Sequence, residues 1–243
     1  MSEVVPLARA EARKALELFP SEPAAHTVLG IVAAVHDYDW EVAAERFRLA
    51  MEEESLPPAV HDAYALYYLT PLGRFEEAIR ERADVIAKDP LNPLWRGRQT
   101  ATFYWAGKCE EAIAEARKTL ELDDANTNAH LTLVQCSTFL GKLAEAREHA
   151  EEALRLQPAT SLWSAGVLRL TGEREQAEKI VANIGSTDPM GMVFYHLIGS
   201  EIDAALDWCE RAIGQRNPAA VILAAAAHHE PLRAHPRWPK LRK

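Results

Sequence analysis

Small and apolar residues recur at helical spacing along most of the chain, and they alternate with charged residues. Ala43, Phe47 and Ala50 follow one another at intervals of four and three residues, which places them on one face of a helix. Residues 7–20 repeat this spacing and end at Pro20, a residue that cannot continue a helix. Helix-favouring Ala, Leu, Glu and Arg dominate the composition. The pattern predicts an all-α protein built from short amphipathic helices.

One short motif occurs three times between residues 72 and 158. It begins at Gly73, Gly107 and Gly141, so the glycines are separated by 34 residues each time. A fixed period of this size is typical of stacked helix–turn–helix repeats. We expect each glycine to adopt the left-handed conformation needed where the first helix of a repeat (helix A) turns into the second (helix B). An alanine follows each glycine early in helix B, where two helices cross closely: Ala78, Ala112 and Ala146.

The period predicts four segments. Residues 1–22 form a truncated repeat with helix B alone, residues 23–157 form four regular units, residues 158–217 form two shortened units and residues 218–243 form a C-terminal cap. The fourth unit is predicted to end at Pro158. Because the chain begins in the middle of a repeat, we expect it to be a piece of a longer protein. A cap is expected because the last unit of a repeat stack otherwise exposes an apolar face.

Three local features predict where helices begin and which are buried. Asp39 can accept hydrogen bonds from the free N–H groups at the start of a helix. Pro58 suits a first helical turn, where its missing N–H is not needed. Residues 218–227 are nearly all apolar and predict a buried helix.

Composition and charge exclude several classes of protein. Hydrophobic residues make up 48% of the chain, which is too many for a disordered protein. The net charge is -9, and no basic stripe exists that could hold a phosphate backbone. Residues 1–18 contain no apolar core typical of a signal peptide, and the longest apolar run, residues 219–227, is too short to span a bilayer. Cys109, Cys136 and Cys209 are odd in number and widely spaced, so we expect free thiols in a reducing cytoplasm.

No pattern typical of an enzyme is present. Acidic pairs recur at matching points of successive repeats and therefore predict solvated helix faces. His228, His229 and His235, with Glu230 nearby, form a cluster of possible metal ligands. Their spacing fits neither a helical pair nor a zinc finger, and no nucleophile elbow or phosphate loop occurs. We therefore predict no enzymatic activity, no metal and no cofactor, with a metal-dependent hydrolase as an alternative hypothesis.

Residues 24–156 resemble tetratricopeptide repeats. The matching positions are Leu29, Gly30, Phe47, Gly73, Phe75, Ala78, Pro90, Gly107, Ala112, Gly141 and Ala146, with Pro158 following. Asp124 replaces the proline that usually ends a unit, and the Leu-Gly signature of helix A survives in the first unit alone. The resemblance implies a right-handed α-α superhelix of antiparallel helix pairs. It also implies a concave groove that binds a protein or peptide through residues of the A helices.

Transferred to this chain, the resemblance assigns ten residues to the groove: Ala63, Tyr64, Tyr67, Arg98, Ala101, Trp105, Asn128, Leu131, Thr132 and Gln135. Tyr, Trp and Arg dominate binding hot spots, although Tyr64 and Trp105 could instead pack between helices. The groove does not have the lysines with which some chaperone-binding members clamp a free carboxylate. We therefore expect no preference for acidic C-terminal peptides.

A narrower resemblance concerns residues 37–41 with Phe47, and residues 230–238. Both are similar to the repeat module found at the C-terminal end of bacterial signalling proteins, downstream of winged-helix, nucleotide cyclase or Ser/Thr kinase domains. This resemblance implies an interaction or regulatory module in bacterial signalling. An alternative is self-association, in which the half-repeat at residues 8–19 docks on a second copy.

Overall fold

A computed structural model describes residues 4–157 and 162–238. All regular structure in these ranges is helical, and the helices pack in antiparallel pairs, which confirms the predicted all-α class. The chain divides into two compact units, an N-terminal unit (Met1–Lys88) and a C-terminal unit (Asp89–Lys243). Pro158 lies outside the described residues, so the predicted end of the fourth repeat stays a prediction. The predicted division into four segments likewise stays a prediction.

Residues 4–88 of the N-terminal unit contain five α-helices. They are α1 (Val4–Leu18), α2 (Pro23–Val32), α3 (Trp40–Ala50), α4 (Pro58–Tyr64) and α5 (Phe75–Lys88). The side chain of Asp39 accepts a hydrogen bond from the Val42 N–H at 3.0 Å, and Pro58 is the first residue of α4, so both predicted helix starts are confirmed.

Both A helices of the N-terminal unit end in a five-residue π-helical turn, which the sequence analysis did not predict. The turns are Ala33–Asp37 after α2 and Ala65–Leu69 after α4. In this unit the left-handed corner residue lies 15 residues after the first residue of helix A, as Gly73 does after Pro58. In the first two helix pairs of the C-terminal unit this separation is 14 residues, as between Pro93 and Gly107. The wider turn accommodates the additional residue, as π-turns inside α-helices generally do.

The described residues of the C-terminal unit, 89–157 and 162–238, contain four consecutive helix pairs and a short final helix. The pairs are α6 (Pro93–Trp105) with α7 (Cys109–Leu122), α8 (Thr127–Phe139) with α9 (Leu143–Leu156), α10 (Leu162–Leu170) with α11 (Arg174–Ile184), and α12 (Pro189–Ile198) with α13 (Ile202–Gly214). The short helix α14 (Glu230–Arg233) follows. The close crossings predicted at Ala112 and Ala146 agree with the complete burial of both residues, and Ala177 and Ala205 are completely buried at the corresponding point of the next two pairs.

The corners between paired helices follow the glycine prediction at four positions and depart from it at two. Gly73, Gly107, Gly141 and Gly172 have positive φ. In the first pair the left-handed residue is Tyr38, with φ of 57°, and in the last pair it is Ser200, with φ of 59°. A glycine, Gly199, directly precedes Ser200, but its φ is -78° and it is not the left-handed residue. The corner therefore requires a left-handed backbone, and two non-glycine residues adopt it despite the steric cost.

Residues 218–238 are called here the C-terminal segment, and its residues 218–227 are not the one continuous helix that their apolar composition predicted. The segment forms two 3-10 helices, Pro218–Ala224 and Ala227–His229, followed by α14. Every third residue of the segment is buried, namely Ala220, Leu223, Ala226, His229 and Leu232. This spacing matches the three residues per turn of a 3-10 helix. A period of three thus buries one side of an almost wholly apolar stretch.

None of the described helices combines the length and the apolar character needed to cross a membrane.

Candidate functional site

The C-terminal segment lies along one face of its own unit, and that face is formed by the A helices. We call this surface the A-helix face. It consists of Tyr104 on α6, Thr138 and Phe139 on α8, Trp163 and Leu170 on α10, and Leu197 and Ile198 on α12. Together with His228, His229 and Pro231 of the segment, these residues enclose a cavity of about 350 Å³. The segment therefore covers part of the A helices of its own unit, although none of the ten residues assigned to the groove lines this cavity.

His228 makes the main ring contacts between the segment and the A-helix face. Its imidazole stacks on the Tyr104 ring with centroids 4.8 Å apart, and it lies 3.8 Å from the Phe139 centroid. Its Nε2 atom is 3.4 Å from the Sγ atom of Cys109, the first residue of α7. The preceding residue, Ala227, fits closely over Gly107, because a Cβ atom at position 107 would lie 3.0 Å from the Ala227 Cβ. His228 thus contacts the Tyr104 and Phe139 rings and the Cys109 thiol together.

His229 is buried beside the same face. Only 1% of it is exposed, and its ring lies 5.4 Å from the Phe194 ring of α12. Burial lowers the pKa of His229 to about 3, and the nearby Arg233 acts in the same direction. The imidazole is therefore neutral near pH 7, and neither ring nitrogen has a hydrogen-bond partner among the described residues. His229 contributes apolar packing here rather than charge.

Polar and apolar contacts attach the end of the segment to α13 and to the segment's own backbone. Leu232 is fully buried in a cluster with α12 and α13 residues, and Trp238 packs against that cluster. The Arg237 guanidinium donates hydrogen bonds to Asp207 at 2.7 Å and to Glu210 at 2.9 Å. The Arg233 guanidinium donates to backbone carbonyls at the 3-10 turns. The segment is therefore held beyond the last helix pair as well as along the A-helix face.

All three cysteines are free and buried, in agreement with the expectation of free thiols. Cys109 on α7 and Cys136 on α8 belong to one buried cluster. Interaction with Cys136 and the contact with the His228 imidazole lower the pKa of the Cys109 thiol. The same interaction, reinforced by burial, raises the pKa of Cys136. The sequence spacing of these residues gave no sign of this arrangement.

The N-terminal unit places two of the predicted groove residues in and beside an aromatic cluster. Tyr64 packs 5.6 Å from Phe47 and stacks on Tyr68 at 5.6 Å, and burial raises its pKa. Tyr67 is half-buried in the π-turn that follows α4. Ala63 is buried. Tyr64 therefore packs between helices, which is the alternative left open by its residue type.

The other predicted groove residues lie in the C-terminal unit, and their side chains differ in how exposed they are. Asn128 is exposed, while Arg98, Ala101, Trp105 and Leu131 are half-buried. The Arg98 guanidinium lies 5.3 Å from the Trp95 ring centre, and Trp105 packs against the core between α6 and α8.

Thr132 and Gln135 do not present free side chains. Thr132 is 1% exposed, and its hydroxyl is hydrogen-bonded to that of Thr100 at 2.7 Å, while Gln135 is 7% exposed. An outward position for Thr132 was wrong because α6 and α8 approach closely enough to join the two hydroxyls. Peptide binding by the remaining groove residues stays a prediction.

The histidines that suggested a metal site are divided among different contacts. His228 and His229 lie on the A-helix face, whereas His235 lies 3.6 Å from Asp203 on α13. Within residues 4–157 and 162–238, no three His, Cys, Asp or Glu side chains converge as metal ligands. The arrangement therefore gives no support to the metal-dependent hydrolase.

Sequence analysis missed the residues that form the occupied part of the face, above all Tyr104, Phe139 and His228. The 34-residue period does indicate which A-helix residues occupy equivalent positions. Tyr104 and Thr138, for example, each lie three residues before the corner glycine of their repeat. That register indicates which A-helix residues share a face. Nothing in the period indicates that the C-terminal segment covers them.

Comparison with curated proteins finds short stretches of similarity to repeat-containing proteins. The Hsp70-Hsp90 organizing protein of Triticum aestivum is 30% identical over 122 residues, which are 50% of this chain and 21% of that protein. The TPR repeat-containing thioredoxin TTL4 of Arabidopsis thaliana is 30% identical over 77 residues, which are 32% of this chain and 11% of that protein. The chain therefore spans about a fifth or less of the length of these relatives. No protein-family model matches the chain.

Among solved structures, pilF from Pseudomonas aeruginosa aligns with 95% of this chain and 89% of its own, with a TM-score of 0.54 and 18% identity. At this level of identity the likeness shows the fold alone. It supports an all-α repeat architecture for the chain.

Proposed function

We propose that this protein is a protein- or peptide-binding scaffold that uses the A-helix face of its C-terminal unit. The observation that supports this most directly is that residues 226–229 of the chain already bind there, with His228 on Tyr104 and Phe139 and His229 beside Phe194. A face that holds one peptide segment through ring contacts can hold another of similar chemistry. The similarity to repeat proteins, one of which is named an organizing protein, points to the same class of function.

The surface favours a particular kind of ligand. Tyr104 and Phe139 provide flat rings for an aromatic or imidazole side chain, and Gly107 leaves room for a small residue beside it. The cavity of about 350 Å³ is lined partly by Leu197 and Ile198 and would receive an apolar side chain. The proposed ligand is therefore a short apolar peptide with a small residue next to a ring, and acidic C-terminal peptides are not expected to compete. The protein would serve as a non-catalytic interaction module in the cytoplasm, in bacterial signalling.

A peptide added in trans tests this proposal. We would label a synthetic peptide of residues 218–238 with fluorescein and measure its binding to the full chain by anisotropy. The tethered segment competes at a high effective concentration, so the unmodified protein should bind the added peptide weakly. A Leu232→Ala protein, whose own segment is loosened, should bind it about tenfold more tightly or better.

Two matched substitutions show whether the A-helix face is the binding surface. Phe139 is 48% exposed on this face, and Leu122 is 42% exposed at the end of α7. In the Leu232→Ala background, Phe139→Glu should abolish peptide binding because it puts a carboxylate among apolar rings, whereas Leu122→Glu should not. Failure of the Leu232→Ala protein to bind the peptide would refute the proposal, as would equal losses from the two glutamate substitutions.

Self-association is a second candidate function, favoured by the exposure of α1. Val4, Leu7, Leu18 and Phe19 are each between 66% and 69% exposed, and exposed large apolar groups of this kind often mark interfaces. We propose that α1 of one copy would pack against a second copy. Sedimentation equilibrium should then show a dimer that Leu18→Glu with Phe19→Glu converts to a monomer. A protein that remains monomeric at all concentrations would exclude this candidate.

A further inference from the structure

The same two positions join helix A to helix B in four consecutive helix pairs, from α2–α3 to α8–α9. In each pair the side chain of the fourth residue of helix A contacts that of the seventh residue of helix B. The contacts are His26 with Arg46, His61 with Glu81, Arg96 with Glu115, and His130 with His149. The first three each include a side chain that is ionised near pH 7. The α8–α9 pair instead brings two imidazoles together.

The hydrogen bonds of His130 determine which of its ring nitrogens carries the proton. Its Nε2 atom lies 2.8 Å from the backbone carbonyl oxygen of Asp124, and a carbonyl can only accept, so Nε2 carries the hydrogen. In the neutral ring, Nδ1 then holds a lone pair, and it lies 3.2 Å from the Nδ1 atom of His149. A histidine that binds a metal usually donates its other ring N–H to a carbonyl or a carboxylate. His130 is therefore oriented as metal ligands are.

His149 can direct a second lone pair to the same point. Burial, together with the neighbouring His130, lowers the pKa of His149, so its imidazole is neutral near pH 7. A neutral imidazole can carry its proton on either nitrogen, and the Nε2 tautomer leaves Nδ1 free to bind. Two nitrogen ligands of a tetrahedral zinc ion lie about 3.3–3.4 Å apart, because each Zn–N bond is about 2.0–2.1 Å long. The observed separation of 3.2 Å agrees with this value within about 0.2 Å.

The surface recess around the two histidines has a volume of about 480 Å³ and a lining of negative charge. Glu148, Glu151 and Glu152 line it together with Arg155, whose guanidinium donates a hydrogen bond to Glu152 at 2.9 Å. Three carboxylates and one guanidinium in the lining favour the approach of a cation. Because no three metal-ligating side chains converge within residues 4–157 and 162–238, water would occupy the remaining positions around an ion bound here.

We propose that His130 and His149 bind one divalent transition-metal ion of the zinc type through their Nδ1 atoms, and that the ion links α8 to α9. On binding, the proton of His149 resides on Nε2, and both Nδ1 lone pairs point at the metal. Imidazole nitrogens suit Zn²⁺, Ni²⁺, Co²⁺ and Cu²⁺, whereas Mg²⁺ prefers oxygen ligands. The ion would supply, in this pair, the charge that an ionised side chain supplies in the three pairs before it. The inference is independent of the proposed function of the A-helix face.

The first test titrates the unmodified full chain, freed of metal with a chelator, with zinc chloride near pH 7. Calorimetry should show one zinc ion bound per chain, at least about a hundredfold more tightly than Mg²⁺. In nitrogen-15 NMR spectra, the Nδ1 resonances of His130 and His149 should both shift. With zinc at ten times its dissociation constant, amide exchange in α9 should slow about tenfold if the ion holds the two helices together. Zinc binding no tighter than that of Mg²⁺ would overturn the inference, because it would reflect the acidic recess alone.

Two matched variants show whether this histidine pair is the site. His149→Gln removes one proposed ligand from a half-exposed position and should weaken zinc binding at least about tenfold. His61→Gln changes the residue of α4 that is equivalent to His130 but contacts Glu81, and it should bind zinc like the unmodified protein. Circular dichroism would verify that both variants are folded. Equal zinc affinity in the His149→Gln and unmodified proteins would overturn the inference, as would equal losses in the two variants.

Discussion

The two units use the same helix-pair pattern but differ in how their A helices end and in what packs on them. In the N-terminal unit, α2 and α4 each continue into a π-turn, and the Phe47, Tyr64 and Tyr68 rings pack together. In the C-terminal unit, α6 and α8 reach their corner glycines without a π-turn. Their outward rings carry the C-terminal segment instead. One repeat pattern is thus compatible with an aromatic core in one unit and a peptide-covered face in the other.

A buried charge pair is a further difference. In the N-terminal unit, Arg82 on α5 lies 3.0 Å from Asp62 on α4, and both side chains are almost fully buried. A charge pair between α6 and α7 joins Arg96 to Glu115, whose side chains are more exposed. Buried pairs of this kind add little net stability, but loss of one partner is costly. Loss of either Arg82 or Asp62 should therefore destabilise the N-terminal unit more than loss of Arg96 or Glu115 destabilises the C-terminal unit.

The largest effect is expected from truncation of the aromatic core. Phe47 is completely buried and packs against Gly30, Tyr64 and Tyr68. Phe47→Ala should lower the free energy of unfolding by about 3–5 kcal/mol, since it leaves a cavity that its neighbours cannot fill. Hydrogen exchange should locate the loss within Met1–Lys88. The matched change Leu133→Ala, in the core of the other unit, should act within Asp89–Lys243, and a loss spread evenly over both units would contradict the comparison.

The next effect concerns the cover of the A-helix face. Leu232 is fully buried in the cluster that joins the C-terminal segment to α12 and α13. Leu232→Ala should cost about 2–5 kcal/mol and should increase hydrogen exchange at His228 and His229. Exchange in α2 and α4 of the N-terminal unit should not change. If hydrogen exchange at His228 stayed slow in this variant, the ring contacts alone would be enough to hold the C-terminal segment. Leu232 would then not be needed to keep it on the A-helix face.

A smaller effect should distinguish two corner glycines that have nearly the same backbone. The φ of Gly107 is 79° and that of Gly141 is 71°, so alanine at either position should cost about 1–2 kcal/mol. An alanine Cβ at 107 would also press on Ala227, whereas nothing lies within 4 Å of the corresponding position at 141. Urea unfolding should therefore show Gly107→Ala as the more destabilising change, with faster exchange in residues 226–229 for that variant alone. Equal behaviour of the two variants would mean that Ala227 adjusts freely.

The smallest effect concerns the first π-turn. Asp37 accepts hydrogen bonds from the Arg9 guanidinium at 2.9 Å, and this contact lowers the pKa of Asp37 below its usual 3.8. Asp37→Asn should cost about 0.2–1 kcal/mol at pH 7, because the pair is partly exposed. The carboxylate contributes its stability above the unfolded-state pKa and loses it as the pH falls through the lower folded-state pKa. Denaturant unfolding of both proteins should therefore differ at pH 7 and converge below pH 3.8; a difference that persists in acid would exclude the ion pair as its cause.

Local sequence signals predicted much of the fold because they act over a few residues. The 34-residue period located the helix pairs from Gly73 to Gly141, and Asp39 and Pro58 identified helix starts. Tyr38 and Ser200 were missed as corner residues because the search followed glycine rather than the left-handed backbone that the corner requires. The π-turns also have a local signal in the sequence, which is the single additional residue between Pro58 and Gly73.

The amino-acid sequence by itself determined the all-α class and the helix pairs, since helix periodicity, caps and corners depend on neighbours within one repeat. Only the tertiary structure decided which surfaces stay free. The Thr100–Thr132 contact, the contact of Cys109 with His228, and the placement of His228 on Tyr104 and Phe139 each join residues far apart in the chain. Such contacts depend on how closely particular helices approach and on where the last segment folds back, and no local pattern of residues encodes either quantity.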